Sequence, residues 1–294
     1  MMISGVGQIK SKNFSNFFTF YILLYIYIQH HNLNLMSLLN VGLIQKYITN
    51  NQIKKRDTNG KPFTDVEPVK YRWTHGATDS HLGDGMIVYS VIQMMKAKTC
   101  VCLGSGGGFI PRIMTQARID LHDQKIFNGL KQMEWGDCGT TILVDADNGV
   151  GGYTDWTEKR SFFRKNFDCR IILDTTENAF YNYFVKEDIK IDYLHIDAGH
   201  SYDDVKNDFT LYSSILSDYG VISIHDTDDS FEKDLIVTED VKEKNHHAPF
   251  DGPNKLIKEL KDNKEWEVFN LFNNGILREK PSSTGITLVQ KCRV

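Results

Sequence analysis

Between residues 97 and 228, short apolar runs alternate with stretches of helical periodicity, and this alternation constrains the fold more than any other feature. The runs at 99–103, 141–144, 170–173, 191–196 and 221–224 have strand length and strand composition. Between the first two, residues 110–121 place Ile110, Ile113, Met114, Ala117 and Leu121 on one face, with Pro111 in the first turn. Residues 178–185 read as a short helix. Residues 203–216 read as a longer one, with Val205, Phe209, Tyr212 and Leu216 facing inward and Gly220 stopping it in a left-handed conformation. Residues 85–96 supply a helix ahead of the first strand. Strands separated by helices imply a parallel sheet with right-handed crossovers. The pattern then breaks. Residues 266–272 and 285–290 are two strands joined by a polar loop with no helix between them, so they pair antiparallel. The expectation is an α/β fold: a seven-stranded, mostly parallel sheet with a C-terminal antiparallel hairpin.

The N-terminal part reads differently. Residues 17–28 (FFTFYILLYIYI) are uncharged and almost wholly apolar, but a spanning helix needs about 20 such residues. Lys10 and Lys12 precede the run and no small-residue cleavage site follows it. Three readings stay open: an extension outside the working protein with Met36 as its start, a membrane anchor, or a signal segment. The domain reading is therefore 1–35 as apolar or disordered extension or anchor, 36–69 as N-terminal helix and linker or lid, and 70–294 as the functional domain. A net charge of −4 offers a nucleic-acid polyanion no general attraction. The five cysteines form no CxxC pair, and Cys100 and Cys102 alternate inside an apolar strand, which fits a reducing, cytoplasmic setting; a membrane-anchored location is the alternative.

The first strand runs into Gly104-Ser105-Gly106-Gly107-Gly108 and then a helix. Ligands of such sheets sit at the carboxyl ends of the strands, and glycines let a ligand touch backbone there. A phosphate loop would need Gly-Lys-Ser/Thr, which is absent, and the GxGxxG fingerprint fails at Phe109. A loop beneath the methionine part of S-adenosylmethionine needs only nearby glycines, so Gly104, Ser105, Gly106 and Gly108 are cofactor candidates; a plain tight turn is the competing reading. Asp145 ends the second strand, where an acid can accept both hydroxyls of a ribose, and it is preferred to Asp147. Asp174 follows the third strand and reads equally as an adenine neighbour or as part of a helix cap.

The densest chemistry lies in Asp192-Tyr-Leu-His-Ile-Asp197-Ala-Gly-His200 and Val221-Ile-Ser-Ile-His225-Asp226. Two neighbouring parallel strands end in carboxylates with imidazoles beside them, about 4.8 Å apart. Carboxylates and water suit Mg²⁺, and His200 is placed to take a proton from a bound hydroxyl. Helix capping competes with this reading, with Asp203 as a cap. His246 and His247 read as part of a substrate loop. Residues 72–75 and 79–81 precede the first helix, where Trp73 or His81 could lid a cofactor, against plain loop packing.

The run from Ile191 to Thr227 resembles the methyltransferase-24-like group of class I, Rossmann-like methyltransferases, which includes macrolide-sugar and other natural-product O-methyltransferases; the resemblance covers roughly residues 97–228. It implies that Asp197 binds metal and that His200 is the base; Asp197 is also a candidate cofactor contact. Those enzymes add two acidic ligands after the fifth strand, whereas this chain has His225-Asp226. Cys102 replaces the acid usual before the glycines, and Ala198 the usual glycine of the turn. The implied activity is methyl transfer from S-adenosylmethionine to a hydroxyl of a small molecule or sugar, with Mg²⁺ as an optional partner at Asp197, Asp226 and His225 and with homo-oligomerisation open. Two alternatives remain: a non-catalytic adenosyl-binding or membrane-tethered module, and a nucleotide- or NAD-binding oxidoreductase.

Overall fold

A computed structural model describes residue 75 and residues 82–104, 108–127, 139–146, 163–164, 167–228, 252–271 and 284–292. The N-terminal extension, the 36–69 helix and linker, Ser105, Gly106 and the His246-His247 pair lie outside the described residues.

The elements in chain order are α1 (Asp84–Met95), β1 (Thr99–Leu103), α2 (Phe109–Phe127), β2 (Thr140–Asp145), β3 (Cys169–Leu173) and α3 (Thr176–Ala179), which runs on into a π-helical turn at Phe180–Val185. They continue as β4 (Ile191–Ile196), α4 (Tyr202–Ser213), β5 (Leu216–His225), α5 (Gly252–Asp262), β6 (Trp266–Leu271) and β7 (Ile286–Lys291). The strands form a seven-stranded sheet in the order β3-β2-β1-β4-β5-β7-β6. The first five are parallel. β7 pairs antiparallel with both β5 and β6. The expected architecture is the observed one.

Both faces of the sheet are covered, so the central strands are apolar throughout instead of alternating. Along β1, Cys100 and Cys102 enter one layer with Val88, Ile92, Ile113 and Met114. Val101 and Leu103 enter the other with Phe184, Val205, Phe209 and Ile257. The two thiols are therefore buried packing groups, and burial raises both well above their usual range.

Three local readings are corrected. Gly220 does not terminate a helix; α4 ends at Ser213 and Gly220 lies inside β5. It is glycine because a β-carbon there would sit 2.9 Å from Leu216 Cδ2 and 3.0 Å from the Ile191 carbonyl oxygen. The cap of α4 is Ser201, whose Oγ accepts from the Asp204 amide at 3.2 Å, and not Asp203. Helix α5 was not expected, since its sequence follows a charged stretch. It is nonetheless amphipathic, with Leu256, Ile257 and Leu260 buried and Pro253 in its first turn.

Candidate active site

The carboxyl ends of β1, β2, β4 and β5 lie along one edge of the sheet, and the backbone knits them there. The Gly104 amide donates to the Val144 carbonyl at 2.8 Å, and the Asp197 amide to the Leu103 carbonyl at 2.9 Å. Gly104 has φ +72, and a β-carbon on it would fall 2.2 Å from the Asp197 carbonyl oxygen. Only glycine lets the β1 turn pass that close to the β4 turn. Gly108, at φ +79, opens the following helix. Asp145 ends β2 and is 8% exposed at the same edge. Cys102 Sγ turns back to the Gly104 carbonyl at 2.9 Å.

Asp174 is drawn into a local turn. Its Oδ1 accepts from the Thr175 amide at 2.8 Å and from Asn178 Nδ2 at 3.1 Å, while Thr175 Oγ1 caps α3. Asp192 sits at the opposite end of β4, where its carboxylate accepts from the Lys98 and Thr99 amides, so it does not share the site.

Asp197, His200, His225 and Asp226 are brought together. His200 Nε2 lies 2.8 Å from Asp226 Oδ2 and 3.7 Å from Asp197 Oδ1. His225 Nδ1 is 3.2 Å from Asp197 Oδ1 and 3.2 Å from Asp226 Oδ1. Asp226 holds a left-handed backbone, φ +57, and its Oδ2 faces His200. Helix α5 starts against this turn: a β-carbon on Gly252 would meet the His200 carbonyl oxygen at 2.3 Å.

Four further residues belong to the site although sequence reasoning did not place them there. His75 Nε2 is 3.2 Å from Asp197 Oδ2, and its ring stacks 4.3 Å from that of His225. His75 is fixed by its own carbonyl, which accepts from the Asp84 amide at the start of α1 at 2.9 Å. Asp84, fully buried, directs Oδ2 to His225 Nε2 at 3.6 Å. Thr284, just before β7, lies 3.2 Å from the same nitrogen through Oγ1 and donates to Asp226 Oδ1. His195 lies beneath, its Nδ1 2.8 Å from Ser223 Oγ. His195 was visible as the third member of Ile191–Ile196 pointing the same way as Asp197 by strand alternation. His75 lies in the 72–75 stretch read as a lid over the cofactor, where Trp73 or His81 was favoured in its place.

Electrostatics follow from this packing. Burial alone would raise the Asp197 carboxyl, but the charge on His225 and hydrogen bonds from His200, His225 and His75 hold it well below the usual range. Burial opposes a charge on His200, yet Asp197 and Asp226 outweigh it and lift its pKa to about 10. His225 is likewise raised, against burial, by Asp226 and Asp197. Burial drives His195 down to about 3, so it is neutral. While both carboxylates face it uncompensated, His200 carries its proton at neutral pH.

Residues 101–227 match a family model described as a methyltransferase domain, of the methyltransferase-24 family. Residues 101–227 carry a methyltransferase domain. The matched span runs from β1 to just past β5, so it contains the glycine turn, Asp145, Asp197, His200 and Asp226. Among solved structures, the methyltransferase fold is shared with an O-methyltransferase from Bacillus cereus in complex with S-adenosylhomocysteine: TM-score 0.50, 12% identity, 91% of this chain and 96% of that one. It is also shared with an O-methyltransferase of tomaymycin synthesis from Streptomyces achromogenes in complex with S-adenosylmethionine: TM-score 0.50, 9% identity, 89% of this chain and 100% of that one. No curated protein matches the sequence significantly. Among the described residues no helix is long and apolar enough to cross a membrane, and residues 17–28 are not among them.

Proposed function

We propose that this methyltransferase transfers the methyl group of S-adenosylmethionine to a hydroxyl of a small molecule or sugar. The observation that carries this reading is the convergence of Gly104, Asp145, Asp197, His200 and Asp226 on one edge of a methyltransferase-type sheet.

The residues fit the cofactor. Gly104 and Gly108 leave backbone bare at the end of β1, where the methionine part would lie, and Asp145 offers a carboxylate to the ribose hydroxyls. S-adenosylmethionine, when bound, supplies an electrophilic methyl on a sulfonium. Asp174 is a weaker adenine contact, because its carboxylate is engaged in the α3 turn.

The residues also fit a divalent cation. Asp197 and Asp226 present carboxylate oxygens within 4.8 Å of each other, and His225 adjoins them. A cation held there would supply positive charge that lowers the pKa of an acceptor hydroxyl. Asp197 and Asp226 hold and orient. His200 Nε2 receives the acceptor's proton once positive charge, from the sulfonium or a cation, offsets the two carboxylates. Asp226 Oδ2 then stabilises the imidazolium at hydrogen-bond distance. The site aligns nucleophile and methyl group, which is the larger part of such catalysis.

Calorimetric titration of the full chain with S-adenosylmethionine and with NAD tests the reading. Binding of the first and not the second supports it; the reverse rejects it in favour of an oxidoreductase. Activity after exhaustive chelation, with Mg²⁺ added back, tests the cation: full activity without metal rejects the ligand roles and leaves His200 as a metal-free base.

A further inference from the structure

We propose that the cation of this site is a transition metal held by imidazole as well as carboxylate, with His75 Nε2, His225 Nδ1 and Asp197 as its ligands. The inference deepens the methyl-transfer reading and rests on it for the role of the site, but not for the chemistry of the ligands.

His75, Asp197 and His225 each present one ligand atom, and the three lie within 4.8 Å of one another. His75 Nε2 to Asp197 Oδ2 and His225 Nδ1 to Asp197 Oδ1 are both 3.2 Å. Two ligands about 2.1 Å from one ion at a tetrahedral angle stand about 3.4 Å apart, so these contacts have the spacing of neighbouring ligands. Asp197 is shared with a second group, made with His200 and Asp226. Three imidazoles therefore surround the shared carboxylate.

That donor set is wrong for Mg²⁺, which takes oxygen ligands and keeps several waters. Imidazole suits zinc, iron, cobalt, nickel and copper. The surroundings of His225 point the same way. Ligating histidines usually present their second nitrogen to a carboxylate or hydroxyl, which fixes tautomer and ring orientation. Nε2 of His225 faces Asp84 Oδ2 at 3.6 Å and Thr284 Oγ1 at 3.2 Å, which leaves Nδ1 for the ion. Asp84 is fully buried in the first turn of α1. His75 is anchored to the same turn through the Asp84 amide, so one helix start positions both a ligand and the partner of a ligand.

The test uses the full chain stripped by a chelator and then titrated with Co²⁺, whose visible absorption reports its ligands. The expected result is one Co²⁺ per chain, not displaced by millimolar Mg²⁺, with affinity weakened at least tenfold by His75→Ala and by His225→Asn. X-ray absorption of the wild-type complex should show scattering from at least two imidazoles, a readout that needs no variant to fold. An oxygen-only shell, or folded variants that bind Co²⁺ like wild type, overturns the proposal. Titration with S-adenosylmethionine is run beside it. Cofactor binding without His75-dependent Co²⁺ binding sinks the proposal alone. His75-dependent Co²⁺ binding without cofactor binding upholds it and sinks the methyl-transfer reading.

Discussion

Gly104 and Asp197 touch through their backbones: a β-carbon on Gly104 would lie 2.2 Å from the Asp197 carbonyl oxygen. The turn after β1 and the turn after β4 are thus packed directly against each other.

Gly104→Ala should therefore damage both. Left-handed strain at φ +72 and a clash with fixed backbone together should cost on the order of 2–4 kcal/mol. Thermal melting should fall by several degrees, and S-adenosylmethionine affinity should drop in the same protein. A Gly104→Ala variant that melts and binds like wild type would show that the turn has room the geometry denies it.

Asp145→Asn tests the ribose contact separately. Loss of a charged acceptor should weaken S-adenosylmethionine binding about ten- to a hundredfold, the equivalent of about 1.5–3 kcal/mol. Melting of the ligand-free protein should change little by comparison. Calorimetry with cofactor and with S-adenosylhomocysteine reads both.

His200→Ala should lower turnover by roughly 10²–10⁴-fold, the usual contribution of a general base. Cofactor affinity should stay near wild type, because His200 faces Asp197 and Asp226 at the β4–β5 edge while the glycine turn follows β1. Single-turnover rates with a hydroxyl acceptor separate this outcome from a loss of binding.

Asp208 gives a pH prediction away from the site. Burial is the main cause that raises its pKa to about 7, partly offset by a hydrogen bond from Thr176. An acid raised in the folded state destabilises the fold above that pH, and the penalty fades as pH falls toward its unfolded value of 3.8. Asp208→Asn should be more stable than wild type at pH 8 by roughly 2–4 kcal/mol, and the difference should vanish near pH 4. Equal melting temperatures at pH 8 would contradict it.

The sheet was legible because its signals are local. Strand β4 matches the expected 191–196 run, and the antiparallel β6 and β7 follow from the lack of any helix between them. The carboxylates were legible for the same reason: Asp197 and Asp226 stand at strand ends that adjacency brings together. His75 and Asp84 were not, because they reach Asp197 and His225 across 122 and more residues with no periodic pattern to announce it. Helix α5 was missed because Lys255, Lys258 and Lys261 disguised the apolar stripe that Leu256, Ile257 and Leu260 form.

Strand β7 lies between β5 and β6 although it follows both in the chain. During synthesis β6 is therefore made with nothing to pair with, and β5 waits as an open edge, the kind of surface that recruits foreign strands. Thr284, which completes the setting of Asp226 and His225, arrives with that same late insertion. The setting of His225 and Asp226 and the pairing of β5 with β7 are therefore completed by the same strand.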